Sequence, residues 1–372
     1  MIVAVAVGFL FVLPAGVAAW YYFAFAVLIR RKRQPPADVP RTRFGIVVPA
    51  HNEEAGLSRS LRAIAMADYP PTLICTLVVA DNCTDRTAEV ARGFGVGCLE
   101  RIDDVRRGKG YALAAGIPVV LPHVDAVLIL DADCEFEPAS LRFLDSALQA
   151  GASVVQATVA PRNPEEAPSA LTAAAGAAIE NAVAAGRSRL GLSIGLRGTG
   201  MAFRRGVLEA HAWTAFGLTE DRDFAEQLSR AGIRIRFAAE AKFSNDAAPN
   251  LDALLVQRRR WRTGLFAGGL RRLVESKPLV LAHLATALLA FTATAWAMPS
   301  FVACGLGVIL LLSVGTTAVV YTQAIRRAGV GFEFVPAMRV LIRLTLTTVG
   351  GLSARGRVWE RTPRLSDVAR PT

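Results

Sequence analysis

The sequence predicts an α/β fold with a mostly parallel, doubly wound sheet, flanked by transmembrane helices. Over residues 41–270, short apolar runs alternate with segments whose apolar residues recur at helical spacing, as they do in repeated β-α units. The chain also has 53% hydrophobic residues and a mean hydropathy of +0.37, and the excess lies at its two ends. The ends therefore predict membrane attachment.

The N-terminal segment 1–33 predicts a transmembrane helix followed by a basic stop. Residues 2–29 carry no charge and are long enough to cross about 30 Å of hydrocarbon. A cleaved signal peptide is disfavoured, because the basic cluster 30–33 follows the apolar run and no basic region precedes it. By the positive-inside rule, this cluster predicts that the following domain is cytoplasmic.

The α/β domain follows a short proline-containing linker at 34–40. Its predicted strands are 44–50, 73–80 and 126–130. A first helix is predicted from the helical spacing of Leu57, Leu61, Ile64 and Ala65. A second is predicted from Thr84, as its cap, through Arg92, and a third from Lys109 to about Leu121. Ligands of such sheets bind beyond the carboxyl ends of the strands.

The C-terminal third predicts further membrane segments. Residues 271–330 predict a transmembrane hairpin, since the apolar runs 279–298 and 301–325 are each long enough to span a bilayer. Residues 331–372 predict an amphipathic helix in the membrane plane and a basic cytosolic tail, because arginines interrupt the apolar stretch 332–352.

The net charge of +11 raises nucleic acid as a partner, but the pattern of basic residues disfavours it. The arginines cluster beside the apolar segments, where anionic lipid attracts them. We therefore expect a membrane surface and no nucleic acid. The five cysteines have no metal-ligand spacing, which predicts reduced, mostly buried thiols.

Acidic residues follow the predicted strands. Glu53 and Glu54 follow the first strand, Asp81 the second, and Asp131 with Asp133 the strand at 126–130. If the sheet is parallel, these side chains share one edge and form one site. Asp131 and Asp133 suit Mg²⁺ or Mn²⁺, which bind carboxylates together with substrate phosphates. Taken alone, this triplet is also compatible with a solvated loop in which Asp131 caps the next helix.

Three other segments contain residues suited to binding or catalysis, and the sequence leaves their roles open. Lys109 lies between glycines at a helix start, which favours an anion, although the P-loop spacing is absent. The acidic turn 219–223 is either catalytic or an acidic first turn favoured by the helix dipole. The segment 257–261, QRRRW, either anchors the membrane interface or binds a diphosphate and stacks on a sugar.

These motifs together resemble those of family 2 glycosyltransferases with a GT-A fold, the Rossmann-like fold of nucleotide-diphospho-sugar transferases. The resemblance extends to the membrane-bound group that includes cellulose, chitin and hyaluronan synthases. The segments that carry it are VVPAHNEE (47–54), VVADNCTD (78–85), LDADCEFEP (130–138), LRGTGMAFRR (196–205), LTEDRDF (218–224) and QRRRW (257–261).

The resemblance implies roles for the donor side of the site. Asp81 is expected to contact the nucleotide base with help from the segment Pro49 to Glu53, and Lys109 to contact the nucleotide or its phosphates. Asp131 and Asp133 look like the DxD pair that holds Mg²⁺ or Mn²⁺, with Asp133 the surer ligand.

It also implies roles for the acceptor side. Asp221, preceded by Glu220, resembles the general base that deprotonates the acceptor hydroxyl. Gln257, Arg260 and Trp261 match the QxxRW pattern at the acceptor and diphosphate end.

The implied function is inverting, metal-dependent transfer from a nucleotide-diphospho-sugar, a UDP-sugar first, to a lipid-linked or polysaccharide acceptor. The implied location is the cytoplasmic face of the inner membrane, with a multi-pass topology. A processive β-polysaccharide synthase is an alternative, although such enzymes have more spans than the three predicted here. A membrane-bound nucleotidyltransferase shares the sheet and the acidic metal site, but HNEE stands where its glycine-rich loop is expected. A non-catalytic membrane scaffold with the same fold is a further alternative.

Overall fold

The computed structural model describes residues 1–28, 33–162, 168–248, 250, 252–254, 256–257 and 287–328, which fall into two units. Residues 33–162 and 187–247 form the sheet unit. Residues 1–28, 168–186 and the described residues from 248 onward form the apolar unit. The segment 168–186 lies inside the predicted domain 41–270, yet it groups with the apolar helices.

The sheet unit is built on eight strands. They are β1 (Phe44–Ala50), β2 (Ile74–Asp81), β3 (Gly97–Arg101), β4 (Ala126–Ile129), β5 (Glu135–Phe136), β6 (Val154–Pro161), β7 (Met201–Arg204) and β8 (Ile235–Asn245). Their order across the sheet is β3-β2-β1-β4-β7-β6-β8-β5. The three strands predicted from apolar runs are confirmed as β1, β2 and β4.

The prediction of a mostly parallel sheet is confirmed, since six of the eight described strands run in one direction and only β5 and β7 run in the other. Strands β3, β2, β1 and β4 are parallel neighbours, but β7 runs antiparallel to both β4 and β6. Two glycines with positive φ, Gly198 and Gly200, turn the chain into β7. Because β7 reverses the direction twice, β6 and the parallel strand β8 run in the same direction as β4.

The described helices are α1 (Ile2–Phe23), α2 (Leu57–Ala65), α3 (Thr87–Gly93), α4 (Lys109–Val120), α5 (Ser140–Gln149), α6 (Pro168–Arg189), α7 (Arg205–Ala210), α8 (Glu220–Arg230) and α9 (Ser300–Ala328). Within the sheet unit, α4 covers one face of the sheet and α2 and α5 cover the other, as a doubly wound fold requires. On one face α4 approaches so closely that a Cβ added at Gly116 would lie 2.5 Å from Val79. On the other face, Ile46 and Val48 share a buried cluster with α2 and α5.

The predicted helix starts are right at Lys109 and wrong at Thr84. Helix α3 begins at Thr87, whose backbone N–H donates to the Asp85 carboxylate at 3.0 Å. The backbone N–H of Thr84 instead donates to Asn52 Oδ1 at 2.8 Å, which ties it to the turn after β1. Asp85 therefore takes the capping role, because its carboxylate reaches the first turn.

The segment predicted as a linker, 34–40, packs along α5. The backbone N–H of Ala37 donates to the Arg142 carbonyl at 3.0 Å, and the Arg142 guanidinium donates back to the Ala37 carbonyl at 2.9 Å. The fully buried Asp145 then accepts from the backbone N–H of Arg41 at 2.9 Å. These paired contacts fix the chain before it enters β1.

The apolar unit contains two helical segments with the length and composition to cross a membrane, Ile2–Val27 and Ser300–Val320. They pack closely, since a Cβ added at Gly8 would lie 2.8 Å from Leu306. The short apolar helix Ala287–Ala297 covers the described part of the first predicted hairpin arm. The predicted amphipathic helix and tail, 331–372, lie outside the described residues.

Candidate active site

The acidic residues predicted to share a sheet edge lie at that edge. Strands β2, β1 and β4 are parallel neighbours, so Asp81, Glu53 and Asp131 all follow carboxyl ends on the same side. The hydroxyl of Ser60 on α2 donates to the Ala132 carbonyl at 2.7 Å and holds the loop after β4. The backbone N–H of Asp131 donates to Thr199 Oγ1 at 3.1 Å, which fixes the same loop from the other side.

Asp81 is only 4% exposed, and its charge is matched by an arginine that the sequence did not single out. The register of β2 and β3 pairs Asp81 with Arg101, whose Nη1 lies 2.5 Å from Asp81 Oδ1. The Arg101 guanidinium also lies 5.7 Å from the ring centroid of Tyr111. Tyr111 stacks on Phe216 with centroids 4.3 Å apart. A carboxylate, a guanidinium and flat rings thus lie side by side.

The turns that follow β1 and β2 contain unusual backbone. Asn52 and Asn82 both have positive φ, 54° and 53°, a conformation that asparagine tolerates better than most residues. The backbone N–H of Glu53 donates to Thr87 Oγ1 at 2.8 Å, and Glu53 is 7% exposed. Pro49 is buried within β1. The turn is therefore rigid, with Glu53 inside it and Pro49 beneath it in the sheet.

The centre of the site is a group we call the lysine cluster: Lys109, Asp131, Glu220 and Asp221. Lys109 Nζ lies 2.6 Å from Asp131 Oδ1 and 3.5 Å from Glu220 Oε1. These residues come from the start of α4, the loop after β4 and the start of α8. One ammonium group therefore faces carboxylates brought together from distant parts of the chain.

The cluster contains three carboxylates and one lysine, and this excess of negative charge affects the pKa values of its members. The pKa of Glu220 is raised to about 7, because burial and the charge of Asp221 raise it more than Lys109 lowers it. Burial also raises the pKa of Asp221, again against the lowering effect of Lys109. For Lys109, burial lowers the pKa, but the charges of Asp131 and Glu220 outweigh it and the pKa is raised. Carboxylates with raised pKa values in a shared site are typical of proton transfer.

Gly198 lies in the middle of the cluster, a position that the sequence did not reveal. Its carbonyl oxygen accepts from Lys109 Nζ at 2.6 Å. Its φ is +79°, and an added Cβ would lie 3.4 Å from Lys109 Nζ and 3.8 Å from Asp221 Oδ2. The glycine therefore keeps open the space between these groups. The only sequence signal was the pair of glycines around Thr199.

The carboxylates of Asp131 and Asp133 suit a divalent cation as donors. Both side chains are half-buried in the loop after β4. Within the described residues, no group of three or more His, Cys, Asp or Glu forms a metal site from protein ligands alone. Mg²⁺ and Mn²⁺ are commonly held by one or two carboxylates plus substrate phosphates. The residues present therefore fit such an ion when a diphosphate completes its coordination.

The QxxRW motif is only partly described. Gln257 is half-buried and belongs to the apolar unit. Arg260 and Trp261 lie outside the described residues, so their roles stay predictions.

A second charged group, which we call the quartet, lies at the same sheet edge. It consists of Arg59, Glu135, Arg162 and Asp246. Arg162 Nη1 lies 2.8 Å from Glu135 Oε1, and Arg162 Nη2 lies 2.5 Å from Asp246 Oδ1. Arg59 Nη1 lies 3.1 Å from Asp246 Oδ2. Glu135 follows Asp131 and Asp133 in sequence, and it forms ion pairs with Arg59 and Arg162.

Comparisons with known proteins agree with this geometry. The chain is 20% identical to a mannosyltransferase, PcManGT from Pyrobaculum calidifontis, solved in complex with GDP-Man and Mn²⁺. The two structures share a fold, with a TM-score of 0.62 over 94% of this chain and 99% of that one.

Two sequence relatives are informative. A probable glycosyltransferase, YdaM of Bacillus subtilis, is 25% identical over 66% of this chain and 60% of its own length. A 4,4'-diaponeurosporenoate glycosyltransferase of Staphylococcus aureus is 32% identical over 30% of each chain. The chain thus spans less than two thirds of the length of either relative.

The family model described as glycosyltransferase like family 2 matches residues 40–264, more than half of the chain. The narrower resemblance to cellulose, chitin and hyaluronan synthases stays a prediction. The fold is GT-A, and the chain belongs to the glycosyltransferase-like family 2.

Proposed function

We propose that this chain is an inverting, metal-dependent glycosyltransferase. It moves a sugar from a nucleotide-diphospho-sugar to a lipid-linked or glycan acceptor at the inner membrane. The observation that carries the proposal is the lysine cluster, in which two half-buried carboxylates with raised pKa values lie beside Asp131 at the carboxyl edge of the sheet. Family membership supports the reaction class.

Donor binding is assigned to the first half of the sheet. Asp81, held by Arg101 at 2.5 Å, and the ring of Tyr111 suit a nucleotide base through hydrogen bonding and stacking. Lys109 suits the phosphates. Asp131 and Asp133 would hold the divalent ion, which when bound supplies positive charge for the leaving diphosphate.

The transfer step is assigned to Asp221. Its carboxylate takes the proton of the acceptor hydroxyl while the acceptor oxygen forms a bond to the anomeric carbon. The bond from that carbon to the donor phosphate oxygen breaks on the opposite face, and its electron pair leaves with the nucleoside diphosphate. A single displacement inverts the anomeric centre. The raised pKa of Asp221 makes its carboxylate a stronger base than an exposed aspartate.

The membrane setting rests on two helical segments with the length and composition of spans, Ile2–Val27 and Ser300–Val320. The basic cluster 30–33 supports a cytoplasmic sheet unit by the positive-inside rule. A protein held in this way has ready access to acceptors that carry a lipid. A single or limited transfer agrees with the small number of spans better than polymer extrusion does.

The test is nucleoside diphosphate release from UDP- and GDP-sugars by the purified full chain in detergent. We expect release with at least one donor, only with Mg²⁺ or Mn²⁺ present, and its loss in Asp133→Asn. Asp104→Asn is the matched control, since Asp104 is 82% exposed and pairs only with nearby Arg107 among its described contacts. Full turnover by Asp133→Asn in EDTA would overturn the proposal. Pyrophosphate release from a nucleoside triphosphate would instead favour a nucleotidyltransferase.

A further inference from the structure

Lys109 contacts the groups on which both metal binding and proton transfer depend. Its ammonium group lies 2.6 Å from Asp131 Oδ1, 2.6 Å from the Gly198 carbonyl oxygen and 3.5 Å from Glu220 Oε1. Its side chain is 23% exposed, so these contacts are poorly screened by water. A lysine whose role was limited to binding the donor phosphates would not require three acceptor groups of the protein itself.

We propose that Lys109 is a resident cation that holds Asp131, Glu220 and the Gly198 turn together before the donor arrives. A divalent ion then binds tightly to Asp131 only when a nucleoside diphosphate draws the ammonium group away. The inference rests on the proposed function and adds to it a coupling between metal and nucleotide.

The first step of the argument is competition for one carboxylate. A divalent ion on Asp131 would lie about 2.1 Å from a carboxylate oxygen. With Lys109 Nζ at 2.6 Å from Oδ1 of the same carboxylate, two cations would then be close neighbours. Their repulsion in a site with little water weakens the binding of the ion by itself.

The second step is what a diphosphate changes. Its negative charges attract both cations and offer Lys109 a new set of acceptor oxygens. The side chain starts at the first residue of α4, so the ammonium group can turn about the lysine side chain while the helix stays in place. Metal and nucleotide therefore each favour the binding of the other, as reciprocal coupling requires.

The third step concerns what stays in place. Glu220 is 13% exposed and has no other described cation as close as Lys109. When the lysine moves to the phosphates, Glu220 loses this ion pair, whereas Asp221 keeps Arg222 beside it. The release of Glu220 therefore accompanies donor binding.

The test measures Mn²⁺ binding by electron paramagnetic resonance in the full chain, with and without UDP, and with no sugar donor or acceptor present. In Lys109→Met we expect Mn²⁺ to bind about ten-fold more tightly without UDP, and UDP to improve that binding much less than in the wild type. Lys109→Gln removes the charge but keeps a hydrogen-bonding group, and it replaces the Met variant if that one does not fold. Thermal unfolding verifies folding.

Lys242→Met is the matched control, because Lys242 also pairs with a carboxylate, Glu137 at 2.9 Å, on an exposed surface. It should leave both Mn²⁺ affinities unchanged. Unchanged or weaker Mn²⁺ binding without UDP in the folded Lys109 variants overturns the inference. The same measurement is repeated with GDP. If the wild type binds neither Mn²⁺ nor either nucleoside diphosphate, the proposed function fails instead, so the two failures are distinguishable.

Discussion

Two charged groups at the same sheet edge use charge in opposite ways. In the quartet, Arg59 and Arg162 match Glu135 and Asp246, so positive and negative side chains are equal in number. In the lysine cluster, Lys109 faces Asp131 and Glu220, and Asp221 adds a third carboxylate with Arg222 as the other cation near it. Among the described residues, the quartet is balanced and the lysine cluster is not.

This difference in charge balance distinguishes a group that stabilises the fold from a group suited to function. Balanced ion pairs with side chains 22–43% exposed cost little desolvation and add modest stability. An unbalanced group of carboxylates costs more, because burial and like charges both raise the pKa of Glu220. Such a cost is expected where a metal ion or a proton is to be taken up.

The largest expected effect comes from Asp221→Asn. Loss of the general base should lower kcat by about 10²- to 10⁴-fold while the protein stays folded. Asp223→Asn is the matched control, since both residues belong to the acidic first turn of α8. Steady-state kinetics on the two variants checks this, and equal losses would favour the helix-dipole interpretation over catalysis.

The pH dependence should follow the raised pKa values of the cluster. A base with a raised pKa is protonated at higher pH than an ordinary carboxylate, so activity should fall about ten-fold per pH unit below the raised pKa of Asp221. Lys109 lowers both pKa values and Asp131 raises both, while Arg222 lowers that of Asp221 and Asp221 raises that of Glu220.

Glu220→Gln removes one facing negative charge, so it should move the acid limb of the profile to lower pH. The measurement is kcat/KM from about pH 5 to about pH 9 in both proteins. An acid limb near the ordinary pKa of a carboxylate would contradict the charge imbalance.

Gly198→Ala should lower activity more than it lowers stability. The added methyl group enters the space between Lys109 and Asp221, and we expect about a ten-fold loss of kcat/KM, equivalent to roughly 1.4 kcal/mol. Gly232→Ala is the matched control, because Gly232 has a similar φ of +75° and an added Cβ there meets nothing within 4 Å. Both variants should lose about 1 kcal/mol of unfolding free energy. An equal loss of activity in both would show that only backbone strain matters.

Much of the site could be predicted from the sequence because it follows from strand ends. The apolar runs identified β1, β2 and β4, and the rule for parallel strands then put Asp81 and Asp131 at one edge. Lys109 was singled out because it begins a helix between glycines.

The rest depends on register and on turns that distant segments determine. Arg101 meets Asp81 only because β3 pairs with β2 in one register. Gly198 reaches Lys109 because the chain reverses before the antiparallel strand β7, and no periodicity in the sequence encodes that reversal. For the same reason Glu135 gave no hint of its partners, since Arg162 and Asp246 come from the ends of two later strands.

The smallest expected effect concerns the quartet, in which positive and negative side chains are equal in number. Glu135→Gln should lower the unfolding free energy by about 0.5–1 kcal/mol, because it leaves Arg162 with a single charged partner among the described contacts, Asp246. Glu137→Gln is the matched control, since its pair with Lys242 is exposed on both sides and should contribute less. Urea unfolding gives the stabilities and nucleoside diphosphate release gives the activities. We expect activity within about two-fold of the wild type, because the quartet holds the strand ends without touching the reacting groups. A loss of activity as large as that of Asp221→Asn would instead make the quartet part of the active site.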